Sequence, residues 1–173
     1  EQQRNMEREF SEMGSLIFSA HLLMLGDNSF SGQMLELIQN GKPVQAAILH
    51  VVNQYIDLFS KNSDPRFREK ALDVKDIGHR LLRNLYKKKD EPGDYSDQII
   101  VAHELLPSEL IKLSAQKAEG FLLFGGGITS HIAILARSIG IPVIFSDDDE
   151  FFKITSGSPL ILDAFQGSVI INP

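Results

Sequence analysis

A run of three glycines, residues 125–127, is the feature that most restricts how this chain can fold. The run follows the apolar stretch Gly120–Phe124 and, after three further residues, reaches the helical pattern His131–Ile139, whose first residue is a histidine. Gly140 and Pro142 then end that helix before a second apolar stretch begins. The order is strand, glycine turn, helix and strand, which predicts an α/β arrangement around the turn.

Such a turn can bind an anion, because glycines let backbone N–H groups converge and a helix N-terminus carries partial positive charge. A phosphoryl group on His131 would lie in that field. Its hydrogen-bond donors would come from four turn residues, namely Gly126, Gly127, Thr129 and Ser130. In the structural alternative the glycines serve packing, and Thr129 or Ser130 is only an N-cap. Neither a G-x-G-x-x-G pattern nor a P-loop lysine is present, so we expect no bound nucleotide.

The first half of the chain is helical by pattern. Apolar residues repeat at steps of three and four in four segments separated by turn residues. These segments are Met6–Met24, Phe30–Ile38, Val44–Phe59 and Phe67–Leu85. Asp64 and Pro65 provide a cap and a first-turn proline for the last helix, and Gly78 on its apolar stripe allows a close helix approach. Four helices joined by short turns predict a bundle or paired helical hairpins.

The second half alternates short strand and helix patterns. The strand candidates are residues 98–102, 120–124, 142–145, 160–162 and 169–171. The helix candidates are residues 107–113, 131–139 and 148–153. Four consecutive acids, Asp147–Glu150, could be read as a Mg²⁺ site, but adjacent acidic side chains point in different directions and also cap a helix well. We therefore favour the cap.

These patterns predict an α+β fold of two subdomains. Residues 1–89 form an all-helical subdomain of four helices, and residues 98–173 form a small α/β domain. The polar segment between them, residues 90–97, contains Pro and Gly and is predicted to be a linker. Charge separates the halves as well: residues 1–89 carry 13 Lys+Arg and 11 Asp+Glu, net +2, whereas residues 90–173 carry 4 and 12, net −8.

Composition excludes several classes of site. The chain has no cysteine, so disulfides and thiolate metal sites are excluded. No signal peptide is evident and no apolar run approaches about 18 residues, so we expect a cytoplasmic protein that binds neither membrane nor nucleic acid. His21 and His79 lie on predicted helices without a second ligand at i+4, and His50 and His103 carry no motif. We predict that all four are ordinary surface or capping histidines and expect no metal site.

Residues 126–142 resemble the phosphohistidine signature of the phosphoenolpyruvate-utilising enzymes. The matching residues are Gly126–His131, Ala133-Ile134, Ala136-Arg137 and Gly140–Pro142. That family includes Enzyme I of the bacterial sugar phosphotransferase system, pyruvate phosphate dikinase and phosphoenolpyruvate synthase. Residues 73–85 resemble the last helix of Enzyme I's helical subdomain, which dikinases lack. Weaker matches at residues 17–25, 100–109, 160–164 and 170–173 extend the resemblance over essentially the whole chain.

The resemblance implies an N-terminal fragment of a phosphoenolpyruvate-protein phosphotransferase. His131 would carry a phosphoryl group on Nε2 and pass it in line to a histidine of an HPr-type carrier protein, for which residues 1–89 would be the recognition surface. We expect no cofactor in this fragment, because Mg²⁺ belongs to the phosphoenolpyruvate-binding barrel, which we expect to be absent together with the family's N-terminal strand. The fragment should not use phosphoenolpyruvate unaided, and the full-length protein should be a homodimer through its C-terminal domain.

Three features depart from the Enzyme I pattern. Ile128 stands where an arginine is typical, and Leu110 replaces a threonine expected to hydrogen-bond the active imidazole. The helical surface is also less acidic than HPr binding would favour, which points to a divergent carrier. Arg137 lies about 600° around the helix from His131, so we expect it to support the site by anchoring the helix or to meet a partner. The alternatives are the swivelling domain of a dikinase-like enzyme and a non-catalytic carrier-binding module.

Overall fold

The computed structural model of the protein describes residue 15 and residues 18–86, 93–124 and 126–173. By its internal contacts the chain divides into two compact units. We call the described residues between 15 and 86 the helical unit and those between 93 and 173 the α/β unit. This mixed architecture confirms the predicted α+β fold. Met6 and Met13 of the first apolar stripe and residues 87–92 lie outside the described residues, so the predicted subdomain bounds and linker stay predictions.

The helical unit contains four helices among its described residues. Helical backbone covers residues 18–26 (α1), Gln33–Gln39 (α2), Val44–Ser60 (α3) and Pro65–Leu85 (α4). A π-helical turn, Asn28–Gly32, leads directly into α2, a feature that the sequence pattern did not predict. Asp64 caps α4 by accepting a hydrogen bond from Arg66 N–H at 3.0 Å, and Pro65 occupies the first turn, as predicted.

The core of the helical unit lies where α2, α3 and α4 meet. Its buried members are Phe30, Met34, Ile48, Val51, Val52, Val74 and Ile77. Gly78 allows the close approach of α4 to α3 that the sequence predicts: a Cβ atom at this position would lie 2.9 Å from both Cγ atoms of Val52. Since packed carbon atoms prefer separations of about 3.5–4.0 Å, a side chain at residue 78 would force the helices apart.

His21 corrects the prediction of an ordinary surface or capping histidine. Its side chain is 1% exposed, and its Nε2 lies 3.2 Å from Oδ1 of Asp73, which is itself buried on α4. The ring of Phe18 packs edge-on against the imidazole with centroids 5.6 Å apart. A buried polar side chain needs a hydrogen-bond partner, and Asp73 supplies it. His50, His79 and His103 are exposed, as predicted.

The α/β unit is built on a parallel three-stranded sheet of order β1-β2-β3. The strands are Ile99–Ala102 (β1), Gly120–Phe124 (β2) and Val143–Ser146 (β3). Phe121 of β2 is in register with Ile100 and Val143 of its two neighbours. The crossovers are Pro107–Ala115 (α5) and His131–Ile139 (α6), and the two helices contact each other. Parallel strands need such helical connections, so the carboxyl ends of all three strands lie at one edge.

The rest of the α/β unit is a 3₁₀-helix and a hairpin. The 3₁₀-helix spans Asp149–Lys153, and two antiparallel strands, Leu160–Asp163 (β4) and Ser168–Ile171 (β5), follow it. Gly140 ends α6 in the left-handed conformation with φ of +73°, which is the usual reason for a glycine after a helix. Each predicted strand and helix of this half is present, with ends that differ from the prediction by at most two residues.

Candidate functional site

The glycine turn lies at the carboxyl end of β2, the central strand of the parallel sheet. A hydrogen bond of 3.0 Å from Ser130 N–H to the Gly127 carbonyl closes residues 127–130 into a β-turn. Ligands of open α/β sheets bind in crevices outside the carboxyl ends of the strands. The structure therefore places the four predicted phosphoryl-binding residues in one continuous turn at the edge of the sheet where binding sites are usual.

His131 is the first residue of α6, and it is half-buried. Ser130 is the N-cap: its Oγ accepts a hydrogen bond from Ala133 N–H at 3.3 Å, and its carbonyl accepts one from Ile134 N–H at 3.0 Å. A hydroxyl that accepts a hydrogen bond can still donate its own hydrogen. The backbone N–H of Ser130 is committed to the turn, so Ser130 can offer an anion only its hydroxyl.

Arg137 reaches back from the last turn of α6 to the glycine turn. Its Nη1 donates a hydrogen bond of 2.9 Å to the carbonyl oxygen of Ile128. The side chain thus fastens the turn to its own helix, which agrees with the anchoring alternative of the sequence prediction. The sequence could not show that the acceptor is the Ile128 carbonyl, because nine residues separate the two groups.

Gly126 is forced to be glycine by two features. Its φ is +90°, in the region that residues with a Cβ rarely adopt. A Cβ atom here would also lie 3.0 Å from Cδ1 and 3.1 Å from Cε1 of Phe145 on β3. The Phe145 ring therefore fixes how closely the turn passes over the sheet. Sequence reasoning missed this contact because it depends on β3 lying beside β2.

Two more residues belong to this end of the α/β unit. His103 directly follows β1, and its ring centroid lies 5.7 Å from that of Phe124, the last residue of β2. The rule that carboxyl strand ends gather at one edge would have singled out His103 from the predicted strand. Leu110 of α5 is completely buried. The position where a threonine was expected therefore belongs to the apolar core of the unit.

The described residues offer no alternative metal centre. Asp148 of the acidic run accepts a hydrogen bond from Glu150 N–H at 2.9 Å, which confirms its predicted role as a cap. Across the described parts of the chain, no three or more His, Asp or Glu side chains form a group that could hold an ion.

A groove of about 670 Å³ runs between Asp97–Val101 and Ile154–Leu160, and neither the glycine turn nor His131 lines it. Among the helices that the structure describes, none has the length and apolar character to span a bilayer.

Two family models match successive parts of the chain. Residues 1–70 match the family described as PEP-utilising enzyme, N-terminal, and residues 95–167 match PEP-utilising enzyme, mobile domain. The second match contains the glycine turn, His131 and Arg137.

Curated relatives carry the same relationship over nearly the whole chain. The phosphoenolpyruvate-protein phosphotransferase of Enterococcus faecalis is 34% identical over 170 residues, covering 96% of this chain and 30% of the relative. That of Listeria innocua is 32% identical over 169 residues with the same two coverages. Multiphosphoryl transfer protein 2 of Escherichia coli is 32% identical over 162 residues, which is 19% of its length. The chain spans about 30% of the length of the phosphotransferases that it matches.

Solved structures show the same relationship to Enzyme I. A solution structure of Enzyme I is 26% identical to this chain with a TM-score of 0.57, and the match covers 98% of this chain and 74% of the other. The N-terminal domain of Enzyme 1 - Nitrogen shares the fold with a TM-score of 0.64 at 24% identity and the same coverages. The chain therefore belongs to the phosphoenolpyruvate-utilising enzymes and corresponds to the N-terminal region of Enzyme I.

Proposed function

We propose that the chain carries a phosphoryl group on Nε2 of His131 and passes it to a histidine of an HPr-type carrier protein, as the N-terminal part of a cytoplasmic phosphoenolpyruvate-protein phosphotransferase. The observation that carries the proposal is the position of His131: it opens α6 directly after a glycine turn at the carboxyl edge of a parallel sheet. Backbone N–H groups at such a point favour a negatively charged group.

The surroundings of His131 suit this role. Gly126, Gly127 and Thr129 contribute backbone N–H groups to the turn, and Ser130 contributes a hydroxyl beside its cap. The hydrogen bond from Arg137 to Ile128 holds the turn in one conformation. Phosphoryl transfer depends mainly on positioning and on stabilising charge spread over the phosphoryl oxygens, so a rigid set of donors is what the reaction requires.

The proposed transfer is chemically balanced. When a phosphorylated carrier loads the chain, the lone pair of His131 Nε2 attacks the phosphorus atom. The P–N bond to the carrier imidazole breaks at the same time, and the carrier nitrogen leaves with that electron pair. Histidine titrates near pH 6.5 in model peptides, so an imidazole at neutral pH has this lone pair available without a strong base. Transfer to the carrier is the same step in reverse. Within this proposal Mg²⁺ and dimer formation belong to the phosphoenolpyruvate-binding part of the full-length protein.

The helical unit is the proposed carrier-docking part of the chain. Leu22 and Leu23 on α1 are 69% and 76% exposed, and adjacent exposed apolar residues of this kind mark interaction surfaces. Asp73 and Asp76 of α4 are buried, so two of the acids in this half add no negative charge to its surface. The proposed carrier therefore binds through apolar contacts more than through basic residues.

Incubation with an HPr-type carrier labelled at its phosphohistidine tests this function. The proposal predicts reversible exchange of label between the carrier and the chain, and no exchange with a His131→Ala variant of unchanged circular dichroism. Gln166→Ala, which removes an exposed side chain from the turn between β4 and β5, is the control and should exchange normally. Carrier binding without any transfer would instead identify a non-catalytic docking module.

A further inference from the structure

The outer corner of the glycine turn carries a large apolar side chain. Ile128 is the second residue of the β-turn at residues 127–130 and is 69% exposed. Turn corners favour Gly, Pro, Asn, Asp and Ser, each of which has a conformational reason to be there. Single exposed apolar residues are common on protein surfaces, so exposure alone assigns Ile128 no role.

What distinguishes Ile128 is that its backbone is held in place. Its carbonyl accepts the 2.9 Å hydrogen bond from Arg137, and the turn is closed two residues later by Ser130 N–H. A residue whose backbone is already held loses little main-chain freedom when a partner covers it, which makes it an effective contact residue. Arg137 therefore acts as a positioning residue for Ile128.

The geometry of phosphoryl transfer brings a protein acceptor onto this corner. The attacking nitrogen must come within about 3–3.5 Å of the phosphorus. Ile128 lies three residues before His131, so their Cα atoms are at most about 11 Å apart. A folded protein that reaches a phosphoryl group on His131 can therefore contact Ile128 as well, whereas a small-molecule donor need not.

We propose that Ile128 is a specificity-determining residue, which packs against an apolar surface beside the acceptor histidine of the carrier. This inference rests on the proposed role of His131. An acceptor with a charged or strongly polar surface at that place would have to bury it against the isoleucine without a partner, which costs affinity. The turn thus selects carriers whose active histidine is flanked by apolar residues.

The test separates a small donor from a protein acceptor. Potassium phosphoramidate, which loses ammonia as it phosphorylates an imidazole, loads His131, and the HPr-type carriers of Escherichia coli and Listeria monocytogenes then accept the label. We expect Ile128→Ser and Ile128→Asn to raise the KM for the carriers about tenfold with unchanged kcat, because apolar contact area is lost. Ile128→Leu should stay within about twofold of the parent, since it keeps that area.

Ile161→Ser is the matched control. Ile161 is 49% exposed on β4 and is remote in sequence from the turn, so its loss should leave the KM unchanged. Equal KM values for the parent, Ile128→Ser and Ile128→Asn would overturn the specificity role, and so would a loss confined to kcat. Failure of phosphoramidate to label His131, or failure of both carriers to accept the label, would instead refute the proposed function, and the inference would fall with it.

Discussion

Gly126 is the residue at which the backbone of the candidate site is most constrained. We expect Gly126→Ala to destabilise the α/β unit by about 1–3 kcal/mol, because alanine at φ +90° is strained and its Cβ would meet the Phe145 ring at 3.0 Å. Gly157→Ala is the matched control, since Gly157 has φ of +87° but open space around the Cβ position. Denaturant midpoints measure both. Equal losses in the two variants would show that the Phe145 contact does not matter.

The buried pair of His21 and Asp73 makes a second prediction for single residues. His21→Ala should lower the free energy of unfolding of the helical unit by about 3–5 kcal/mol, since it removes a partner from a buried carboxylate and leaves a cavity. His79→Ala removes an exposed histidine from the same unit and should change stability by less than about 0.5 kcal/mol. A loss for His21→Ala as small as that of the control would contradict the pairing.

The contact of helices α3 and α4 is limited by Gly78. We predict that Gly78→Ala destabilises the protein by about 1–3 kcal/mol despite the better helix propensity of alanine, because its Cβ would overlap Val52. In a Val52→Ala background, Gly78→Ala should destabilise the protein far less than it does in the parent. A double-mutant cycle of unfolding free energies measures this difference. Gly32→Ala, where the nearest atom is 3.9 Å away, should cost little. Additive losses at Gly78 and Val52 would disprove direct contact.

The N-terminus of α4 gives a pH-dependent prediction. Hydrogen bonds from the Arg66 side chain and backbone lower the pKa of Asp64 below its ordinary value of 3.8. The unfolded state therefore binds the proton more readily, so the cap contributes its full stability above pH 3.8 and loses it as pH falls through the lower folded-state pKa. Asp64→Ala should accordingly be destabilising at pH 6 and nearly neutral in strong acid. A constant difference across this range would contradict the assignment.

The elements around the candidate site were predictable because local signals bracket them. The strand Gly120–Phe124 and the helix His131–Ile139 have the predicted ends, since glycines and a proline mark their boundaries. The contacts of Arg137 and Phe145 with the turn were not predictable, because they depend on a rotamer and on strand order. The burial of His21 left a signal that was missed: it lies three residues before Met24 of the apolar stripe.

At the scale of the whole molecule, the two units have different roles in the proposed phosphoryl transfer. Loading of His131 by a small donor should depend on the α/β unit, whereas transfer to a carrier should need both units. Leu23→Ser, which removes an exposed apolar side chain from the proposed docking surface on α1, should therefore slow transfer to an HPr-type carrier about tenfold and leave phosphoramidate loading of His131 unchanged. Single-turnover rates with the two reagents measure this. Equal slowing of both reactions would contradict the division of roles.

The division into a helical part and an α/β part was visible in the sequence, since apolar periodicity changes and net charge falls from +2 in residues 1–89 to −8 in residues 90–173. The partner was not visible, because docking depends on which side chains are exposed. Asp73 and Asp76 count as surface charges in a sequence but are buried in the fold.

Site-resolved mapping of the phosphoryl group tests the central claim most directly. The chain is loaded from a phosphorylated HPr-type carrier and examined by ³¹P NMR and by mass spectrometry of its peptides. The account predicts one acid-labile phosphoryl group, bonded to Nε2 of His131 and missing from His131→Ala. A phosphoryl group on any other residue, or one that persists in His131→Ala, would contradict it.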